Sequence, residues 1–225
     1  MRYNIVNSGS DGNAIIVEDI LLLDCGVSFF KIKEYINNLK LIFISHLWLH
    51  SDHLKRQTIK KVAFERPTLK FVCGSEDVLE ILVNKCNVSK KNIYLLDLDK
   101  WYDLGIIKIK LEFLQHDVPN CLIKWEYKCK KGIYAVDTAN LDNVIAKNYD
   151  MYFIEANYSE EELEQRKEQK LLNNEFEIET RIKNSHLSIE QCNDFLLKNM
   201  GENSQYCWIH QHKEKEKGVN YATAD

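Results

Sequence analysis

The chain has 225 residues, enough for one large domain or two small ones, and 45% of them are hydrophobic, an ordinary share for a protein with a substantial core. A formal net charge of -4 excludes a global positive field that would steer nucleic acid to the surface, and no uninterrupted apolar stretch approaches the roughly 20 residues that span a bilayer. Met1 to Ser8 lacks the apolar core of a signal peptide, and seven cysteines without a CxxC pair read as reduced thiols, so a cytoplasmic setting away from membranes is expected.

In chain order, Ser8-Gly9-Ser10-Asp11-Gly12-Asn13 is a glycine-rich loop, open between a tight turn and backbone laid close to a site. Ala14 to Glu18 and Ile20 to Asp24 follow as a hairpin turning near Asp19. Phe30 to Leu39 has helical spacing, with Ile32, Tyr35, Ile36 and Leu39 on one face, and Leu39 to Ser45 is an apolar run that reads as a buried strand. Leu54 to Phe64 is expected as a helix, Leu69 to Cys73 as a strand and Glu76 to Lys85 as a helix. Lys55, Arg56, Lys60 and Lys61 fall at helical spacing, open between a local basic patch and, the favoured reading, a solvated helix face. In the second half, Ile93 to Leu98, Ile106 to Gln115, Cys121 to Lys128, Gly132 to Val136 and Met151 to Glu155 read as strands. Glu160 to Leu172 is a charged helix, Leu187 to Asn199 a helix with Ser188 as its cap, and Tyr206 to Ile209 a last strand before a frayed end from Lys213. Two halves of similar content with no linker between them predict one domain over residues 1–225, built of two packed sheets with helices outside.

The chemistry concentrates where the strand ending at Ser45 stops. His46, His50, Asp52 and His53 crowd together there, and imidazole with carboxylate is the ligand chemistry that borderline divalent ions such as zinc prefer. His116-Asp117 ends another strand-like run and is open between a turn and a further histidine ligand. Asp137 closes the run Gly132 to Val136, as a turn residue or as a carboxylate bridging two metals. Glu155 reads as a strand-end carboxylate facing solvent. His186 stands at a helix start, and His210 ends the last strand with His212 two residues on.

In this order the glycine loop, Leu23-Asp24-Cys25-Gly26, the His/Asp cluster, His116-Asp117, Asp137-Thr138, Glu155-Ala156-Asn157-Tyr158, His186-Leu187-Ser188 and His210 resemble the metallo-β-lactamase-fold hydrolases. The chain is most similar to their YycJ/WalJ-like branch, near tRNase Z and the phage anti-Pycsar phosphodiesterases, over about residues 3 to 212. The resemblance implies the α+β class, an αββα sandwich of two mixed β-sheets flanked by helices with a metal site at one edge. It also implies two divalent metal ions, zinc first and manganese second, one held by His46, His50 and His116 and the other by Asp52, His53 and His210. Asp137 would bridge them, a hydroxide between them would be the nucleophile, and Asp24 would accept a bond from behind a ligand. Catalysis would turn on Asp52, through its metal, and on His186, which would donate a proton or bind phosphate.

Three positions depart from the family pattern. His-x-His-x-Asp-His is stretched to His-x-x-x-His-x-Asp-His, so either two residues are inserted after His46 or Trp48 takes the place of the first histidine. Ser185 stands where glycine is usual and Ile189 where asparagine is common. The expected activity is phosphodiester hydrolysis of a cyclic nucleotide or of nucleic acid, with the acidic balance tilting toward the compact substrate. The alternative is a degenerate member that binds a nucleotide or a partner without cleaving it, and fold alone does not separate thioester or β-lactam hydrolysis from either. Glu160 to Lys183 fits a lid, a site edge or an arm reaching the second subunit of a homodimer.

Overall fold

The computed structural model describes residues 1–9, 11–47 and 53–211. The central expected runs become strands whose side chains are buried on both faces, and alternation divides each of them between two cores. In β2 (Ala14–Val17), β3 (Leu21–Leu23), β4 (Leu41–Phe43) and β5 (Lys70–Cys73), Ile15, Leu21, Leu23, Phe43 and Val72 face the opposing sheet. Ile16, Leu22, Ile42 and Phe71 face outward, onto the helices α2 (Arg56–Glu65) and α3 (Glu76–Asn84). With β1 (Tyr3–Asn7) and β6 (Ile93–Leu95) at its edges, this sheet runs β1-β2-β3-β4-β5-β6, antiparallel as far as β3 and parallel from there.

The second half builds a sheet of the same size. It contains β7 (Trp101–Asp103), β8 (Lys108–Leu114), β9 (Asn120–Tyr127), β10 (Lys130–Ala135), β11 (Met151–Glu155) and β12 (Gln205–Ile209), in the order β12-β11-β10-β9-β8-β7. Its inner face adds Ile109, Ile123, Trp125, Tyr134 and Phe153 to the core between the sheets. Its outer face packs Leu122, Ile133, Tyr152 and Ile154 against Leu187, Phe195 and Leu196. The helix α6 (Ile189–Asn199) carries those last two residues and starts on the expected Ser188 cap, a full capping box with Gln191. The result is helices, sheet, sheet, helices, with three apolar layers between.

Four elements differ from expectation. The helix over Phe30 to Leu39 shrinks to one turn, α1 (Phe29–Ile32), followed by turns bonded three residues back, Tyr35 N–H to Ile32 and Asn38 N–H to Tyr35. Ile32 and Ile36 still bury on one face, and the Arg66 guanidinium satisfies the Ile36 and Leu39 carbonyls at the end of the segment. The edge strands β1 and β7 had no expected counterpart. Neither did α5 (Glu179–Ser185), a separate short helix after α4 (Glu160–Leu172). Lys55, Arg56, Lys60 and Lys61 are all exposed, which a basic patch and a solvated face require alike. The seven cysteines are free, with Cys25 and Cys73 buried and Cys207 half-buried. Among the described residues no helix is long and apolar enough to cross a membrane.

The turn between β9 and β10 offers a stability test. Tyr127 pairs with Lys130, so Lys128 and Cys129 form a two-residue loop, and both have positive φ, 47° and 61°. That is the type I′ pattern, which favours Asn-Gly and strains other side chains. Lys128→Asn with Cys129→Gly is expected to raise stability by about 0.5–1 kcal/mol net of the entropy glycine adds to the unfolded chain. The check is a higher urea midpoint at unchanged slope.

Candidate metal centre

Strand direction explains why distant residues meet. β3 and β4 are parallel, and β8 runs the same way as β10, β11 and β12 because β9 opposes both β8 and β10. Their C-terminal ends therefore open on one edge of the sandwich. Asp24 follows β3, Ser45 and His46 lie beyond β4, His116 beyond β8, Asp137 beyond β10 and His210 just after β12, while Glu155 is the last residue of β11. Three of these residues, Asp24, Asp137 and His210, take left-handed backbone, with φ of 56°, 52° and 53°. Such strain in non-glycine residues persists where surroundings over-determine it, and it clusters at functional sites.

Five histidines close into a ring. Ring centroids are 4.2 Å apart for His46–His53, 5.9 Å for His53–His210, 5.5 Å for His210–His186, 5.9 Å for His186–His116 and 5.1 Å for His116–His46. The Asp137 carboxylate lies among them. Its Oδ2 is 2.8 Å from His53 Nε2 and 3.3 Å from His46 Nε2, and its Oδ1 is 3.3 Å from His210 Nδ1 and 3.4 Å from His186 Nδ1. Two groups of ligand-type atoms share this carboxylate, His46–His53–Asp137 and Asp137–Glu155–His186–His210.

The imidazoles are oriented from behind. His53 Nδ1 donates to Asp24 Oδ2 at 2.6 Å, so its Nε2 faces Asp137. Asp24 itself accepts from the Ser45 amide and hydroxyl and from the Tyr134 hydroxyl of the opposite sheet. His46 Nδ1 sits 3.0 Å from Ser45 Oγ, His116 Nδ1 3.2 Å from the Ser185 carbonyl, and His186 Nδ1 2.7 Å from Glu155 Oε1. Asn13, from the glycine loop, places its amide 3.3 Å from His53 Nε2 and 3.2 Å from His210 Nδ1.

The electrostatics fit a cation site. Burial lowers the pKa of His46 and of His116, which keeps both imidazoles neutral with a lone pair to offer. His53 is raised well above its ordinary value, because Asp24 and Asp137 outweigh its burial, and Asp137 is driven well below the carboxylate range as His210 and His53 outweigh its own burial. Among the described residues, His46 Nε2 and Asp137 Oδ1 are buried without a hydrogen bond. Orphaned atoms of ligand type in a set of imidazoles and a carboxylate fit one or more divalent ions of the zinc kind.

His186 is pushed up to about 10: burial opposes its charge, but the Glu155 and Asp137 carboxylates outweigh it. In metal-free protein the folded state keeps this proton between pH 6.5 and about 10 while the unfolded chain releases it. The stabilisation is therefore complete below about 6.5 and fades as pH rises. Chelator-treated protein should unfold at lower urea at about pH 9 than at about pH 6, with His53 adding to the same trend. His186→Asn should flatten the difference, and identical pH slopes in both proteins would count against the assignment.

His46, His53, His116, Asp137, His186 and His210 are thus brought together, with Asp24 behind His53 as expected. His46 reaches the ring despite the stretched spacing, whereas Trp48, His50, Asp52 and His212 lie outside the described residues. Glu155 corrects the solvent-facing reading: it is fully buried, accepts from the Thr138 amide at 3.0 Å and holds His186. Sequence patterns left the roles of Asn13 and Tyr134 unassigned. Ser185, in the usual glycine position, takes up Asp117 with its hydroxyl and His116 with its carbonyl. Arg181 also pairs with Asp117, so α5 borders the site.

No family model and no curated protein matches the sequence. Solved structures do match. The metallo-β-lactamase fold protein YhfI from Bacillus subtilis superposes with a TM-score of 0.68 at 14% identity, over 93% of this chain and 85% of that one. The short form of human tRNase Z gives 0.66 at 14% identity, over 94% and 93%. Zinc-bound PqqB from Methylobacterium extorquens gives 0.54 at 12% identity, over 74% and 76%. What is shared at these identities is the fold, and the chain has the α+β metallo-β-lactamase sandwich.

Proposed function

We propose that the protein is a dinuclear metal-dependent phosphodiesterase, related to the YycJ/WalJ-like branch of the fold. The observation that carries the reading is the Asp137 carboxylate, which lies within 3.4 Å of ring nitrogens of His46, His53, His186 and His210 at the centre of the cluster. His46, His50 and His116 would hold one ion and Asp52, His53 and His210 the other, with Asp137 common to both. When bound, two such cations lower the pKa of water and stabilise negative charge on the oxygens at phosphorus. The chain's own residues do the rest. Asp24 keeps a proton on His53 Nδ1 and the Ser185 carbonyl keeps one on His116 Nδ1, so both rings present Nε2 inward. His186, held protonated by Glu155, donates to the leaving oxygen.

Two substrates fit this chemistry. The fold shared with tRNase Z supports nucleic acid, and the net charge of -4 supports a compact cyclic nucleotide. Metal analysis with hydrolysis of bis-p-nitrophenyl phosphate tests the enzyme, and parallel assays on 3′,5′-cyclic nucleotides and single-stranded DNA decide the substrate. Two equivalents of zinc or manganese per chain with hydrolysis are expected. The stretched His46–His50 spacing favours one other reading, a non-hydrolytic member that binds a nucleotide or partner. Less than one equivalent and no turnover with either metal added would sink the enzyme reading.

A further inference from the structure

Asp137 can serve two ions only while its left-handed backbone aims the carboxylate into the histidine ring. The ladder of β10 ends at Ala135, so the carbonyls of Val136 and Asp137 lie beyond the sheet's pairing, in a buried place where an unpaired carbonyl is costly. One side chain takes both. Asn120, the first residue of β9 and 4% exposed, donates its amide to Val136 O at 2.8 Å and to Asp137 O at 2.6 Å. On the other side of the turn, Glu155 accepts from the Thr138 amide.

We propose that Asn120 is a positioning residue for Asp137, fixing the turn that presents this carboxylate to both ions; the inference rests on the metal reading above. Both contacts of the Asn120 nitrogen are carbonyl oxygens, which settles which end of the amide faces them. Its own Oδ1 is buried with no hydrogen-bond partner among the described residues. A residue that leaves its own acceptor unpaired is kept for its two donors. Aspartate would set oxygen against oxygen there, and alanine would leave both carbonyls bare. Because one carboxylate is shared, an error in this single turn weakens both ions together.

The test compares wild type, Asn120→Ala and Asn120→Ser, each stripped with chelator and then titrated with zinc. Zinc affinity is read by competition, thermal unfolding with and without zinc, and the visible spectrum after cobalt substitution. Asn120→Ala should bind zinc about tenfold to a hundredfold more weakly. Its zinc-induced rise in Tm should shrink, and its cobalt spectrum should change. Asn120→Ser, which keeps one donor, should fall between and covers the case in which alanine does not fold. A variant that loses Tm equally with and without zinc, at wild-type zinc affinity, would show a structural role only and overturn the proposal. Wild type that binds no zinc would overturn the metal reading and this proposal with it, whereas wild-type binding matched by both variants overturns this proposal alone.

Discussion

Asp137→Ala is expected to strip the protein of its metal and its hydrolysis together. Zinc should fall below one equivalent per chain after desalting, and kcat/KM on bis-p-nitrophenyl phosphate should drop on the order of a thousandfold or more, since both functions of the ions are lost at once. The reason lies in sharing. Four imidazole nitrogens lie within 3.4 Å of this one carboxylate, so its removal takes the common anion from both groups of ligands. The carboxylate also supports the charged forms of His53 and His186. Without it both pKa values should fall, and the metal-free fold should lose stability at neutral pH. Asp137 itself stabilises the fold above its unfolded pKa near 3.8, and that contribution disappears as pH drops through its depressed folded value. Asp137→Asn keeps the volume and the tolerance for left-handed backbone while deleting the charge. Loss of zinc in both variants assigns the effect to charge; two retained equivalents with an unchanged rate would remove Asp137 from the centre.

The central strands were legible because they are buried on both faces and leave nearly unbroken apolar runs: Ala14–Val17, Leu21–Leu23, Leu41–Phe43 and Met151–Glu155 stand out against a charged background. Edge strands carry no such mark. Tyr3–Asn7 and Trp101–Asp103 face solvent along much of their length, and only their pairing with β2 and β8 makes them strands. The short α1 shows the opposite effect. Its apolar spacing was real and Ile32 and Ile36 are buried, but after one helical turn the backbone tightens to bonds three residues back, Tyr35 to Ile32 and Asn38 to Tyr35, which keep the same buried face without a continuous α-helix.

The candidate site was legible where a histidine or a carboxylate ends an apolar run, as with His46, His116, Asp137 and His210. It was illegible where common residues act across the sandwich. Tyr134 reads in sequence as one more core aromatic, yet its hydroxyl meets Asp24 across 110 residues. Asn13 and Asn120 look like ordinary loop and strand-start asparagines. Glu155 was misread because a carboxylate at a strand end usually seeks water. Here the Thr138 amide and the His186 ring satisfy it inside the protein, which removes the cost of burial. In each case tertiary partners that no local pattern encodes decide the role.

On the proposed reading His186 donates a proton and does not hold metal, so its variants separate the two roles. Its side chain is 22% exposed, whereas those of His46 and His53 are 0% exposed, so a substrate oxygen can approach it. His186→Ala should therefore retain metal, unlike Asp137→Ala, and lose rate in proportion to the leaving group's need for a proton. On a nucleotide substrate, whose alkoxide leaves poorly, kcat should fall about a hundredfold to ten-thousandfold. On bis-p-nitrophenyl phosphate, whose phenolate leaves without help, the loss should be much smaller. Glu155→Gln should reproduce this pattern more weakly, because the amide oxygen can still accept from Thr138 while the charge that holds His186 protonated is gone. Equal losses on the two substrates would rule out proton donation and leave phosphate binding as the role of His186, since a contact to the phosphoryl oxygens is indifferent to which group departs.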